Sequence, residues 1–107
     1  MVLTFDNVET VLKKSFDKTL ILVAHSKHCG ACTNFFDVFS PMIEENENII
    51  FAKMDTNEQE ELTERFNVKY LPSVFFIKNN KIEKIITGNP SQKQFNEAIS
   101  QLVSSGE

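Results

Sequence analysis

Leu20-Ile21-Leu22-Val23-Ala24, followed after four residues by Cys29-Gly30-Ala31-Cys32 and then Thr33 to Ile43 (TNFFDVFSPMI), is the stretch that decides the fold. Five consecutive apolar residues are what a parallel-sheet strand needs when both of its faces are buried. In the segment after the cysteines, Phe35, Phe36, Phe39 and Ile43 recur at helical spacing, so strand gives way to helix near Cys29. The two cysteines then lie at i and i+3 on one helical face, with Cβ atoms roughly 5–6 Å apart. That is close enough for small adjustments to make or open a disulfide. A loop this short constrains the unfolded chain less than a long one, so the pair is a poor staple and a plausible redox switch.

Position on the helix assigns different roles to the two thiols. Cys29 falls at the N-terminus, where unpaired N–H groups and the helix dipole favour a negative charge. Thiolate is the attacking species, so Cys29 is the expected nucleophile. Cys32, a turn further in, is expected to be more buried and less ionised. It suits the resolving role, attacking the mixed disulfide that Cys29 forms with a substrate.

The 107 residues fit one domain, residues 1–107, long enough to bury a core without cross-links. Ten Phe, no Trp and 41% hydrophobic residues point to a Phe-rich globular interior. The net charge is −4 and no basic run stands out, which argues against nucleic acid and against an anionic membrane surface as partners. No apolar stretch approaches the length of a membrane span. The start, MVLTFDNVET, lacks the basic residues and apolar run of a signal peptide, so the expected location is the cytosol. There, two cysteines in CxxC spacing read as catalytic or metal-binding and not as a structural cross-link.

In chain order, Val2 to Phe5 is a short strand, and Asp6 with Glu9 resembles a capping box opening a helix that buries Val8, Val11, Leu12 and Phe16. After the central strand and the CxxC helix, in which Pro41 is expected to introduce a kink, Ile49 to Met54 is the next strand. Asn57 is expected to cap a short acidic helix, Glu58 to Phe66, that buries Leu62 and Phe66. Its carboxylates form a solvated face that also suits the dipole. Ser73 to Lys78 and Ile82 to Thr87 flank Asn79-Asn80, a hairpin signal because Asn tolerates positive φ. Gly88-Asn89-Pro90 breaks the chain, and a helix from about Ser91 buries Phe95, Ile99, Leu102 and Val103, with Ser104 to Glu107 frayed. The order β-α-β-α-β-α-β-β-α predicts an α/β domain: a central mixed sheet of about five strands flanked by about four helices, with one antiparallel hairpin at an edge.

These residues together resemble the thioredoxin family over nearly the whole chain. The resemblance rests on a strand leading into CxxC at a helix start, Leu71-Pro72-Ser73 opening the next-to-last strand, and Gly88 after the last strand. It implies the thioredoxin fold and a thiol–disulfide oxidoreductase that reduces protein disulfides, with Cys29 as nucleophile and Cys32 as resolving thiol. It further implies that Pro72 is a cis-proline beside the active site, that the Leu71 backbone pairs with an extended substrate, and that Gly88 belongs to the apolar rim. The implied partners are disulfide-containing client proteins and an NADPH-dependent thioredoxin reductase. No bound cofactor or metal is implied beyond the redox-active Cys29–Cys32 disulfide. The family's usual Trp-Cys-Gly-Pro-Cys stands here as His28-Cys29-Gly30-Ala31-Cys32. Val23 occupies the place of a buried Asp that accepts the second thiol's proton, Lys53 has lost that Asp as neighbour, and Pro41 lies one helical turn later than usual.

Other readings stay open on the residues alone. His28 reads first as an exposed rim residue, and functionally as an imidazolium that stabilises the Cys29 thiolate. His25 reads as a surface or half-buried residue without chemistry, and Val23, Phe35, Phe36 and Phe39 as core. A zinc-binding module is a rival, since His25, His28, Cys29 and Cys32 supply four N/S ligands. So is a specialised or non-catalytic thioredoxin-like binding module.

Overall fold

The computed structural model describes residues 2–4, 8–16 and 18–104, with the backbone alone at 2–4, 8, 103 and 104. Its elements are β1 (Val2–Thr4), α1 (Val8–Lys14), β2 (Thr19–His25), α2 (Gly30–Glu44), β3 (Ile49–Asp55), α3 (Glu60–Arg65), β4 (Ser73–Lys78), β5 (Lys81–Thr87) and α4 (Gln92–Ser104). They follow the order read from the sequence. The five strands form one sheet in the order β1-β3-β2-β4-β5. β1, β3 and β2 run parallel to one another, β4 runs antiparallel to β2, and β5 at the edge pairs antiparallel with β4.

β2 is apolar throughout because it serves two cores. Leu20, Leu22 and Ala24 face one side, where they meet Val11 of α1, Leu62 of α3, Phe66, Phe75 and Ile77. Ile21 and Val23 face the other, with Phe35, Phe39 and Ile43 of α2 and Phe95 and Ala98 of α4. Phenylalanines dominate this second core: the Phe95 ring lies 4.5 Å from Phe39 and 5.7 Å from both Phe35 and Phe76, centroid to centroid. Such tilted and edge-on contacts add to the gain from area burial alone.

Several boundaries depart from the sequence reading. Phe16 is 60% exposed instead of buried. The helix ends at Lys14, and Ser15 and Phe16 bond back to Leu12 and Lys13 in three-residue turns that swing Phe16 off the helical stripe. Ser15 takes the buried position. Its carbonyl accepts from Asn79 N–H at 3.0 Å and its hydroxyl from Asn80 N–H at 2.8 Å, tying the β4–β5 hairpin to the end of α1. Asn79 and Asn80 have φ of 50° and 66°, the positive values that the hairpin reading required. Asn57 does not cap α3: Asp55 Oδ1 accepts from the Asn57 and Glu58 N–H groups, so residues 55–58 form a turn and the helix starts at Glu60. α2 runs through Pro41 to Glu44, so the proline lies inside the helix as its place in the pattern implied. Ser91 Oγ accepts from Gln94 N–H at 3.0 Å and caps α4. The Asp6 cap and the Phe5 end of the first strand lie outside the described residues, as do the side chains of Val8 and Val103 and the C-terminal residues after Ser104.

Candidate functional site

Strand register assembles the site. Ala24 near the end of β2 pairs with Ser73 at the start of antiparallel β4, and Ser73 pairs with Thr87 at the end of β5. The residues just outside these pairs are therefore neighbours at one end of the sheet: the segment 25–29, Pro72 and Gly88. The Leu71–Pro72 peptide is cis, as the resemblance implied. Gly88 N–H donates to Pro72 C=O at 2.8 Å, and Gly88 has φ of 76°, where a side chain would be strained. The same register sets His25 opposite Asp55, and His25 C=O accepts from the Thr56 N–H (2.9 Å) and hydroxyl (3.1 Å).

Cys29 is the N-cap of α2, in extended conformation with φ −102° and ψ 101°. Its carbonyl accepts from Cys32 N–H at 3.1 Å and Thr33 N–H at 3.2 Å, while its Sγ accepts from Cys32 N–H at 3.1 Å. The sulfur thus fills the place a Ser or Asp oxygen takes in an ordinary cap, sharing the Cys32 N–H with the Cys29 carbonyl. Cys29 and Cys32 are joined as a disulfide, with Cα atoms 5.2 Å apart. Cys32 is 2% exposed and Cys29 is half-buried, the asymmetry expected for a resolving and an attacking thiol.

The surrounding residues divide by exposure. His28, Gly30 and Ala31 are exposed, and a Cβ on Gly30 would meet nothing within 4 Å. Tyr70 is 67% exposed next to half-buried Leu71, which packs on the first core. Lys27 pairs with Glu58 at 3.4 Å on the open surface. Such a pair contributes little to stability. Val23 is fully buried, and Lys53, opposite it in β3, is exposed.

His25 is half-buried. Its ring meets Phe36 edge-on at 5.4 Å, and its Nε2 is buried with no hydrogen-bond partner. Burial lowers its pKa below the ordinary 6.5; nearby Asp55 opposes the shift and Lys53 adds to it. The four side chains of the zinc reading do not converge: both cysteines are in the disulfide, His28 faces solvent and His25 turns onto Phe36. Among the described residues, no three His, Cys, Asp or Glu are placed to hold a metal ion.

One residue at the site escaped the sequence reading. Asn89, there only part of a chain break, donates from Nδ2 to Ala31 C=O at 3.2 Å across 58 residues of sequence. A polar amide directly after Gly88 was the available signal.

A cysteine pair at a strand-to-helix junction, facing a cis-proline across the end of a mixed sheet, defines a thiol–disulfide exchange fold. The comparisons give the family: the sequence model described as Thioredoxin matches residues 1–101, and the chain belongs to the thioredoxin family. Thioredoxin-1 of Caenorhabditis elegans is 28% identical over 80 residues, covering 75% of this chain and 70% of the relative. The TPR repeat-containing thioredoxin TDX of Oryza sativa is 32% identical over 82 residues, or 74% of this chain and 26% of that protein. The chain thus spans about a quarter of that relative, and just under half (46%) of the chloroplastic thioredoxin F-type of Pisum sativum. Among solved structures, spinach chloroplast thioredoxin F superposes with a TM-score of 0.84 at 25% identity, covering 94% of this chain and 92% of that one. A similar fold, with a TM-score of 0.81 and 22% identity over 92% of each chain, occurs in the complex of ferredoxin:thioredoxin reductase with thioredoxin f2.

Proposed function

We propose that this domain is a thioredoxin-like protein-disulfide reductase acting through Cys29 and Cys32. The observation that carries the reading is the N-cap geometry, with the sulfur of half-buried Cys29 on a helix N–H and bonded to a buried Cys32. In the dithiol form, the N–H and the helix dipole stabilise the Cys29 thiolate. The thiolate attacks one sulfur of a client disulfide, forming the Cys29–client bond and expelling the other client sulfur as thiolate. Cys32 then loses its proton and attacks Cys29 Sγ, releasing the second client sulfur. The client gains two electrons and, after protonation, two thiols, and the protein leaves with the Cys29–Cys32 disulfide.

His28, Gly30, Ala31, Leu71 and Gly88 are the proposed client-facing residues, with Pro72 buried behind them, and the Leu71 backbone is assigned the pairing with an extended client segment. Val23 offers no carboxylate, so the Cys32 proton leaves to water or to the client thiolate already expelled. Regeneration needs a two-electron reductant of the disulfide. We assign this to a flavin-dependent NADPH thioredoxin reductase in a reducing cytosol, while the complex of a structural relative with a ferredoxin-linked enzyme offers the other source.

Trapping tests the reading. Cys32→Ser should accumulate a mixed disulfide between Cys29 and a client peptide, visible by mass, and turnover should fall by about 10³ or more. Cys29→Ser should form no mixed disulfide and should lose turnover at least as completely. Full disulfide reduction by Cys29→Ser would remove Cys29 as nucleophile. No reduction by the unaltered protein with dithiothreitol would leave a non-catalytic binding module.

A further inference from the structure

Asn89 acts on the peptide group that holds the Cys29 sulfur. The unit linking Ala31 and Cys32 has two polar ends, and both are engaged: its C=O accepts from Asn89 Nδ2 at 3.2 Å, and its N–H is shared between Cys29 Sγ and Cys29 C=O, each at 3.1 Å. A carbonyl only accepts, so the amide nitrogen of Asn89 must be the atom facing it. The preceding residue, Gly88, donates its own N–H to Pro72 C=O at 2.8 Å. Consecutive residues of one loop therefore fasten the first turn of α2 and the cis-proline segment together. Position 31 is alanine, which does not fix φ in that turn as a proline would, so its orientation depends more on outside contacts.

We infer that Asn89 is a positioning residue for the Cys29 thiolate. By donating to Ala31 C=O it orients the 31–32 peptide and polarises its N–H, strengthening the bond that N–H gives to the sulfur. This rests on Cys29 being the attacking thiol, as proposed above. Stabilising the thiolate stabilises the reduced protein, so Asn89 makes Cys29 more acidic and the pair more oxidising than it would otherwise be. His28 adjoins Cys29 in the chain and Lys27, paired with Glu58, lies one residue further. The Asn89 substitutions leave both residues, and the Lys27–Glu58 pair, in place.

The test has two readouts that a merely structural role would not move. In a Cys32→Ser background, the iodoacetamide alkylation rate of Cys29 is followed against pH with Asn89 present and in Asn89→Ala. The substitution should cut the alkylation rate two- to fivefold at a fixed pH on the rising limb and move the limb to higher pH. In the two-cysteine protein, the equilibrium constant against glutathione should shift by the same two- to fivefold toward the disulfide, about 9–21 mV more reducing at 29.6 mV per tenfold. Asn89→Leu, which keeps bulk and removes the donor, should reproduce both shifts. Unchanged alkylation and potential in both variants, with or without a loss of stability, overturn the inference. If Cys29 of the Asn89-containing protein titrates like a free thiol near pH 8.5, the nucleophile assignment itself fails, and the two failures are thereby told apart.

Discussion

His25 carries a cost that the fold accepts. Its Nε2 is buried without a partner, and burial holds the ring below the ordinary histidine pKa of 6.5. The unfolded chain takes up the proton near 6.5, whereas the folded chain resists it. Stability from this group is therefore intact above about pH 6.5 and falls as the solution becomes more acid. The urea midpoint should be lower at pH 5 than at pH 7.5, and His25→Phe, which keeps the edge-on contact with Phe36, should flatten that difference. An equally steep profile in the variant would show that the acid sensitivity lies elsewhere. Val23 poses the opposite case, a fully buried apolar side chain where a carboxylate would serve the chemistry. Its opposite number Lys53 points into solvent, so an acid at 23 would find no buried cation. Val23→Asp should cost about 3 kcal/mol or more. It should also speed resolution of a Cys29 mixed disulfide by on the order of tenfold, as a positioned base would. Single-turnover kinetics decide it, and an unchanged rate would show that proton removal from Cys32 does not limit the step.

At the scale of elements, the β4–β5 hairpin shows how a two-residue signal and a distant contact combine. Asn79 and Asn80 both adopt positive φ, and both backbone N–H groups bond to Ser15. Asn80→Gly should leave stability within about 0.5 kcal/mol, because Gly adopts this φ freely and the N–H remains. Asn80→Val should cost about 1–2 kcal/mol, the penalty of a left-handed conformation for an L residue. Urea denaturation of the pair checks both. The turn residues themselves were legible in the sequence, as were the buried strand Leu20 to Ala24 and the helix after Cys29, because period and residue type encode them locally. Ser15 and Asn89 were not legible. Their roles depend on partners 65 and 58 residues away, and a serine or an asparagine in a connection carries no periodic signal. Phe16 and Asn57 were misread for a related reason: each fits a local rule, but a tight turn at residues 15–16 and the Asp55 carboxylate took the backbone groups first.

For the whole molecule, one sheet end collects the cysteine pair, the cis-proline and Gly88. β2 carries the cysteine segment out of the core, and antiparallel β4 and β5 return Pro72 and Gly88 beside it. Two cores, one on each face, support that arrangement without help from the disulfide. Closing so few residues adds only about 2 kcal/mol by the loop-entropy relation. A cross-link that stabilises so little is free to open and close, which is what a carrier of two electrons requires. The Cys29 and Cys32 spacing was enough to suggest this, and the cap geometry gives it a physical basis. The most direct test is the reduction potential of the pair, measured by equilibration with thiol buffers and mass-resolved trapping of free thiols. A reversible two-electron transition between about −300 and −200 mV, near the −270 mV typical of thioredoxins, is the expected result. A pair that fails to interconvert, or one poised above about −180 mV where it would oxidise its clients, would contradict the reductase account.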